Sequence, residues 1–262
     1  MSAHRIVCLT EETVETLYLL GQQERIVGVS GYAVRPARVR REKPRVSAFT
    51  SADIPKIRAL NPDLVLTFSD LQADIAAELI RAGIEVHAFN QRDLDGILRM
   101  IRTLGRLTDC AEAADRLADG YRARLDALAA QPPAQRPRVY FEEWDEPQIA
   151  SIGWVSELIE IAGGTDCFAP LRYRQAARDR IVTAQDVLDA QPDIIVASWC
   201  GKKVRPEKIA ARPGWAAIPA VRNGRIHEIK SPLILQPGPA ALSDGLDALR
   251  AIVAPQLAEG SR

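Results

Sequence analysis

Residues 109–131, with the sequence DCAEAADRLADGYRARLDALAAQ, decide the fold, because the chain on either side of them is organised in the same way. Asp109 and Glu112 have the spacing of a capping box, which predicts a helix start. One apolar helical face follows, formed by Leu117, Tyr121, Leu125 and Leu128. Pro132 and Pro133 end the helix, since proline cannot continue the helical hydrogen bonding. Such a helix is roughly 30 Å long and predicts a link between two lobes.

The two halves of the chain share a sequence pattern. Residues 57–66, IRALNPDLVL, have the form of a helix end, a proline turn and a buried strand. Residues 187–196, VLDAQPDIIV, repeat this form after the linking helix. The opening strands, residues 5–9 and 138–141, recur at a similar offset. Several matches in the same order indicate two similar units.

Strands and helices alternate in both halves, which predicts parallel, doubly wound sheets. In the first half we predict strands at residues 5–10, 26–30, 64–68 and 84–89 and helices at residues 12–20, 53–60, 71–82 and 93–107. In the second half we predict strands at residues 138–143, 193–198 and 225–229 and helices at residues 154–162, 183–190 and about 240–257. The fold is therefore predicted to be α/β, with two Rossmann-like lobes, residues 1–108 and 132–262, joined by one backbone helix, residues 109–131.

Composition excludes several classes of function. The 34 basic and 34 acidic residues balance, so no bulk charge favours nucleic acid or an anionic membrane. The four cysteines are widely spaced, which favours free thiols. No apolar run reaches the length of a membrane span, and the first strand follows Met1 without a signal peptide. We expect a cytoplasmic monomer that is not inserted in a membrane, or a periplasmic one if a leader has been removed.

Motifs for catalysis are missing from the sequence. It contains no nucleophile elbow, no Walker loop, no dinucleotide fingerprint and no zinc-protease motif. Two features leave an enzyme open as an alternative: Cys200, and the acidic segment 142–146, EEWDE, at the end of a predicted strand. This segment is either a ligand- or metal-binding rim or a polar turn. The basic loop 35–45 is either a phosphate site or, more in keeping with its lack of glycines, a solvated loop.

Aromatic side chains stand at the ends of predicted strands in both halves. Tyr32 and Phe68 occupy such positions in the first half, Phe49 precedes the predicted helix at residues 53–60, and Trp144 and Trp199 follow predicted strands in the second half. Each one alone is typical of core packing. Together they predict the two walls of a cleft between the lobes that holds a large, flat, partly apolar ligand.

The chain resembles the helical-backbone substrate-binding proteins of bacterial ABC importers, a family that includes binders of vitamin B12 and of ferric siderophores. The resemblance lies in residues 6–10, 15–17, 28–32, 56–66, 191–193, 212–215, 219–225 and 237–239. It implies two lobes joined by a rigid helix, a ligand between them and no catalysis. It also implies that Tyr32, Phe49 and Phe68 contact a corrin ring, with Ile149 near a further contact. We therefore expect cobalamin or another corrinoid as the ligand, with a ferric siderophore or haem as the alternative.

The family also implies a contact with a membrane permease. Transport members carry a glutamate on each lobe, near the start of the helix before the Pro-Asp turn, that binds permease arginines. Pro55 and Gln185 occupy these positions here, and the nearby Asp53 and Asp186 are the candidates to replace them. The change favours a cytosolic relative that sequesters or delivers the ligand, with an importer subunit as the alternative.

Overall fold

The computed structural model describes residues 2–254. The chain forms two compact units, Met1–Arg122 (unit 1) and Ala123–Arg262 (unit 2). The boundary falls within the longest described helix, which is the helix predicted to link the halves. The predicted two-unit α/β fold with parallel sheets is confirmed, whereas the predicted lobe limits at residues 108 and 132 stay predictions.

Unit 1 is built on a five-stranded parallel sheet. Its strands are β1 (Ile6–Cys8), β2 (Ile26–Ser30), β3 (Arg45–Ser47), β4 (Leu64–Phe68) and β5 (Val86–Phe89), in the order β3-β2-β1-β4-β5. The chain runs outward from β1 to β3 on one side and then restarts at β4 on the other. Parallel sheets place their ligands at such a switch point, next to the carboxyl ends of the strands.

The helices of unit 1 cover this sheet. They are α1 (Glu11–Leu19), α2 (Val39–Glu42), α3 (Ile54–Ala59), α4 (Ala73–Arg81) and α5 (Leu94–Leu107). The sequence signals of α5 are typical: the Asp93 carboxylate caps it by accepting from the Gly96 N–H at 2.6 Å, and Ile97, Ile101 and Leu104 are fully buried on one face. The basic loop 35–45 contains α2 and the first residue of β3.

The linking helix α6 (Ala111–Ala129) does not begin as predicted. Asp109 lies two residues before it, with a φ of 54°, which is the left-handed region. An N-cap residue has an extended backbone, so the expected capping box with Glu112 is wrong. On the predicted apolar face, Leu125 is buried and its neighbours are partly buried. The spacing of apolar residues therefore located the helix, although its start signal was misassigned.

Unit 2 has a mixed sheet in the order β10-β9-β6-β7, with β8 paired to β6. The strands are β6 (Arg138–Asp145), β7 (Gln148–Ala150), β8 (Thr165–Asp166), β9 (Ile194–Ala197) and β10 (Ile226–Glu228). All pairs are parallel except β6 with β7, which form a hairpin that the sequence analysis missed. The hairpin extends β6 through the acidic segment 142–146, whose first four residues are strand and not turn.

Six helices complete unit 2 within the described residues: α7 (Gly153–Ile161), α8 (Ala184–Ala190), α9 (Pro206–Ala210), α10 (Pro219–Arg222), α11 (Ser231–Ile234) and α12 (Leu246–Val253). A wider helical turn, Ala241–Gly245, precedes α12. The predicted last helix extends to residue 257, and residues 255–257 lie outside the part of the chain that the structure describes. Trp154 of α7 is buried and donates its indole N–H to the Ile234 carbonyl at 2.9 Å.

The Pro-Asp repeat makes the same backbone connection in both units. In unit 1, Asp63 accepts from the Arg5 N–H at 2.9 Å and donates its own N–H to the Arg5 carbonyl at 3.0 Å. In unit 2, Asp193 does the same with Arg138, at 2.8 Å and 2.9 Å. We call this pair of bonds the Pro-Asp latch. It joins the first strand of each unit to the start of the strand after the proline turn.

Candidate functional site

The carboxyl ends of the unit 1 strands carry the three aromatic residues predicted for this half. Tyr32 follows β2 and is 48% exposed, Phe49 follows β3 and is partly buried, and Phe68 ends β4 and is 5% exposed. Gln72 ties these ends together. Its side-chain N–H groups donate to the carbonyls of Leu9 at 3.2 Å and Phe49 at 2.8 Å, and its oxygen accepts from the Phe68 N–H at 3.0 Å.

Arg92 covers the ring of Phe68. Its guanidinium carbon lies 5.2 Å from the ring centroid, and a guanidinium nitrogen bonds Asp70 at 3.1 Å. A cation over an aromatic face is attracted by the ring's negative charge density. Because Phe68 is also buried, its replacement by alanine would lower stability as well as any ligand binding. Tyr32 is the cleaner probe of a ligand surface.

Glu11 and Glu12 form an acidic pair directly after β1, at the switch point of the unit 1 sheet. Both side chains are buried, and within residues 2–254 neither Oε2 atom has a hydrogen-bond partner. The other oxygen of Glu12 accepts from the Thr10 hydroxyl at 2.6 Å. Burial raises the pKa of Glu11 to about 8, with help from the charge of Glu12, and burial also raises the pKa of Glu12 to about 7. The sequence analysis missed this pair, although two adjacent glutamates after a strand were visible.

The acidic segment of unit 2 is not a free rim, because its first residue is a core residue. Glu142 is fully buried in β6. It accepts two bonds from the Arg212 guanidinium, at 2.5 Å and 3.0 Å, one from the Trp199 indole at 3.2 Å and one from the Tyr140 hydroxyl at 3.1 Å. Four donors around one carboxylate indicate that Glu142 has a structural role and is not available as a metal ligand.

Two further acids of the segment also have basic partners. Glu143 bonds the buried Arg180 at 2.5 Å, and Asp145 bonds Lys202 at 2.6 Å. Across the described residues, no three histidine, cysteine, aspartate or glutamate side chains are grouped as a metal ion would require. The interpretation of segment 142–146 as a metal-binding rim therefore has no geometric support.

The predicted site residues of unit 2 lie around Lys202. Its Nζ is 5.3 Å from the Trp144 ring centroid and 5.0 Å from the Trp199 ring centroid. Trp199 is 3% exposed and belongs to the core of unit 2, whereas Trp144 is partly buried against that core. Ile149 of β7 is the cross-strand neighbour of Trp144 and is also partly buried. Trp144 thus lies beside both Lys202 and Ile149, whereas Trp199 is mainly a packing residue.

Cys200 is the exposed thiol among four free cysteines. It lies in the loop after β9, beside Trp199. Burial raises the pKa of Cys8 and of Cys167 to about 12, so these two thiols are not nucleophiles at neutral pH. Cys200 is thus the cysteine on which the enzyme alternative depends.

The basic segment 35–45 is largely exposed, in keeping with the solvated-loop alternative, and two of its arginines have acidic partners. Arg35 bonds Glu15 at 2.8 Å, and Arg38 lies 5.0 Å from the Tyr18 ring centroid. The Tyr18 hydroxyl donates to Glu42 at 2.6 Å. These side chains border a depression of about 490 Å³. Because Arg35 and Arg38 already face carboxylates, these two residues give the phosphate-site alternative no support.

The two aspartates considered for permease contact are helix-capping residues. Asp53 caps α3 by accepting from the Lys56 N–H at 2.9 Å. Asp186 forms a capping box with Thr183 at the start of α8, and the Thr183 hydrogen bonds lower the pKa of the Asp186 carboxyl. Helix capping alone accounts for an aspartate at both positions, without any contact with a partner protein. Their role in permease contact stays a prediction.

Comparison with known proteins identifies the family. Residues 6–233 match the model of the periplasmic binding protein family. The chain belongs to this family. A cobalamin-binding protein of Halobacterium salinarum is 28% identical over 253 residues, which cover 90% of this chain and 65% of that protein. The chain thus spans about two thirds of that relative's length.

Solved structures of other periplasmic binding proteins have the same fold. A vitamin B12 binding protein of Vibrio cholerae superposes with a TM-score of 0.76 and 25% identity, covering 98% of both chains. A haem-binding protein of Roseiflexus sp. RS-1 has a TM-score of 0.80 and 24% identity, covering 96% of this chain and 99% of its own. Proteins of this family bind small molecules and work with ABC permeases. None of the described helices has the length and apolar character needed to span a bilayer.

Proposed function

We propose that the protein binds cobalamin or a related corrinoid, without chemistry, at the carboxyl ends of its strands. The observation that carries this proposal is the collection of aromatic side chains at these ends in both units: Tyr32, Phe49 and Phe68 in unit 1, Trp144 and Trp199, with Ile149, in unit 2. Large flat ligands bind such surfaces through apolar burial and ring contact. The relative named for cobalamin binding supports the choice of ligand.

The binding experiment uses cyanocobalamin, whose absorbance reports on the complex after desalting. We expect co-elution with the wild-type protein and a weaker complex for Tyr32→Ala, by about fivefold or more, since one aromatic contact contributes about 0.5–1.5 kcal/mol beyond its buried area. Tyr173→Ala is the control, because Tyr173 is also exposed and is not a predicted site residue. Equal weakening by both substitutions, or no binding by the wild type, contradicts the proposal.

Haem or a ferric siderophore is the second candidate, and one observation favours it. Two rings predicted to meet a corrin, Phe68 and Trp199, instead have Arg92 and Lys202 over them. Cations at these places suit a ligand with several carboxylates better than cobalamin, whose side chains are amides and whose one anionic group is the phosphodiester of its nucleotide. Titration with hemin in parallel with cyanocobalamin decides between the two: a complex with hemin alone would replace the corrinoid in this proposal.

Permease contact is tested by changing charge without changing the caps. Asparagine caps helices as well as aspartate does, so Asp53→Asn with Asp186→Asn removes two negative charges and keeps both helix starts. If the protein is an importer subunit, the double variant melts like the wild type and loses its complex with a vitamin B12 permease. An unchanged complex would contradict docking through these residues.

The cytoplasmic location stays a prediction and has its own test. Cells that express the gene from its own start codon are fractionated, and the protein is detected by an antibody. Full-length protein in the cytosol supports a sequestering or delivering role. A processed periplasmic or membrane-anchored form contradicts it and favours the importer subunit.

A further inference from the structure

Three residues at the carboxyl edge of the unit 2 sheet, Trp144, Trp199 and Asp145, hold the ammonium group of Lys202 in place. We call these three residues and Lys202 the Lys202 clamp. The ammonium lies about equally far from the two tryptophan ring centroids, at 5.3 Å and 5.0 Å. It also donates to Asp145 Oδ2 at 2.6 Å. Two ring faces and one carboxylate thus fix a side chain that is otherwise among the most flexible in proteins.

The Lys202 ammonium has hydrogen-bonding capacity to spare. An ammonium carries three donors, and within residues 2–254 Asp145 is the only hydrogen-bond partner of Nζ. The side chain is 48% exposed. Arg212 and Arg180, the cations that pair with the other two acids, bond the buried Glu142 and the partly buried Glu143 and are themselves largely buried. Lys202 is therefore the cation of the three that remains accessible.

The clamp lies where the proposed ligand would bind. Trp144 is in the last part of β6, and Trp199 follows β9, the strand that pairs with it. An exposed ion pair contributes little to stability, so Lys202 is not needed to hold the fold. A preorganised ammonium, in contrast, gains affinity because little side-chain entropy is lost when a ligand binds.

We propose that Lys202 determines specificity by binding an anionic oxygen group, a carboxylate or a phosphate, at the rim of the macrocycle whose face packs near Trp144. The inference rests on the proposed function and deepens it, because it states which peripheral group the ligand carries. Charge-assisted hydrogen bonds are roughly twice as strong as neutral ones, which sets an anionic group apart from an amide. Asp145 acts as a positioning residue for the ammonium.

The experiment compares two ligand pairs in which one member lacks the anionic group. Cobalamin carries a phosphodiester that cobinamide lacks, and haem carries two carboxylates that haem dimethyl ester lacks. Cobinamide also lacks the rest of the nucleotide, so Lys202→Met decides how much of a cobalamin preference comes from the charge. The proteins are the wild type, Lys202→Met, which keeps the length and apolar cover of the side chain, and Lys203→Met as the matched control. Lys203 is the adjacent lysine and is also exposed. Thermal melting of all three proteins shows whether the fold is retained.

We expect the wild type to prefer the anionic member of the pair that it binds by about tenfold, the usual worth of a charged hydrogen bond. The ratio of the two affinities should fall towards one in Lys202→Met. It should stay near the wild-type value in Lys203→Met and recover in part in Lys202→Arg. A preference within the cobalamin pair that Lys202→Met removes assigns a phosphate as the group, and one within the haem pair that Lys202→Met removes assigns a carboxylate.

Three results overturn the inference. If cobalamin and cobinamide bind the wild type equally and haem shows no preference either, the proposed function stands and the role of Lys202 fails. If Lys202→Met keeps the full preference, another cation is responsible. If no macrocycle binds the wild type, both the proposed function and this inference are wrong.

Discussion

The acidic side chains at the carboxyl edges of the two sheets differ in whether they have cationic partners. In unit 1, Glu11 and Glu12 are buried without a basic partner among the described residues, and burial raises the pKa of both. In unit 2, Glu142, Glu143 and Asp145 each bond a cation. The carboxyl edge of the unit 1 sheet therefore carries carboxyl groups that titrate near neutral pH. The carboxyl edge of the unit 2 sheet carries carboxylates that are paired with cations. Any pH dependence of the edge near neutrality is expected to come from unit 1.

The largest effect is expected from breaking the best pair of unit 2. Arg212→Met leaves Glu142 buried without its cation, and removal of one partner of a buried pair typically costs about 3–5 kcal/mol. Urea unfolding measures the loss. The control is the double variant Glu142→Gln with Arg212→Met, which leaves no buried charge and should recover much of the stability. A loss below about 1 kcal/mol in the single variant would show that Tyr140 and Trp199 suffice for Glu142.

An intermediate effect is expected from the unit 1 pair, and it depends on pH. The folded protein holds protons on Glu11 and Glu12 up to about pH 8 and 7, whereas the unfolded chain releases them near pH 4.5. The folded state thus binds more protons between these values, so stability falls as the pH rises from about 4.5 to 8. Glu11→Gln and Glu12→Gln should flatten this fall and raise the free energy of unfolding at pH 8 by about 1–3 kcal/mol each.

The measurement for this prediction is urea unfolding at pH 5 and at pH 8. Glu112→Gln is the control, because Glu112 is an exposed glutamate on α6. It should leave the pH dependence of the wild type unchanged. If the Gln variants keep the wild-type slope with pH, the two carboxyls are ionised in the folded protein and the contrast between the edges disappears.

The smallest effects are expected from the equivalent helix starts of the two units. Asp53→Ala removes the cap of α3, and Thr183→Ala removes the capping box of α8. Each should cost about 1 kcal/mol by urea unfolding. Asp53→Asn and Thr183→Ser keep a capping oxygen and should cost much less. If only one of the two alanine variants lowers the free energy of unfolding, the two equivalent helix starts do not contribute equally to stability.

The sequence was sufficient to predict those strands and turns that are specified by a short stretch of neighbouring residues. The strands 26–30 and 64–68 were predicted with their observed limits, because each is an apolar run bounded by turn residues. The Pro-Asp repeat also predicted equivalent turns, which the latch explains. Short elements within a charged segment, α2 and β3, were missed because four and three residues carry no periodicity. The hairpin of β6 and β7 was missed because the acidic segment 142–146 was interpreted as a rim or a polar turn beyond the strand.

The site was less predictable, because its chemistry depends on contacts between distant residues. Trp199 follows a strand, as predicted, but Trp144 lies inside β6 and not beyond its end. The lysine between the two rings was not foreseen. Glu142 and Arg212 are 70 positions apart, and nothing in either local sequence indicates that they pair. The ligand contacts of all six predicted residues stay predictions.

The Pro-Asp latch has a consequence for synthesis on the ribosome. In unit 1 it joins residues 58 positions apart, and in unit 2 the equivalent bond spans 55 positions. Each latch is therefore completed by its own stretch of nascent chain, and the first one can close while unit 2 is still untranslated. Domains generally fold in this order during translation. The early strands of unit 1 are thus paired before the strands of unit 2, which carry the same pattern, emerge to compete for them.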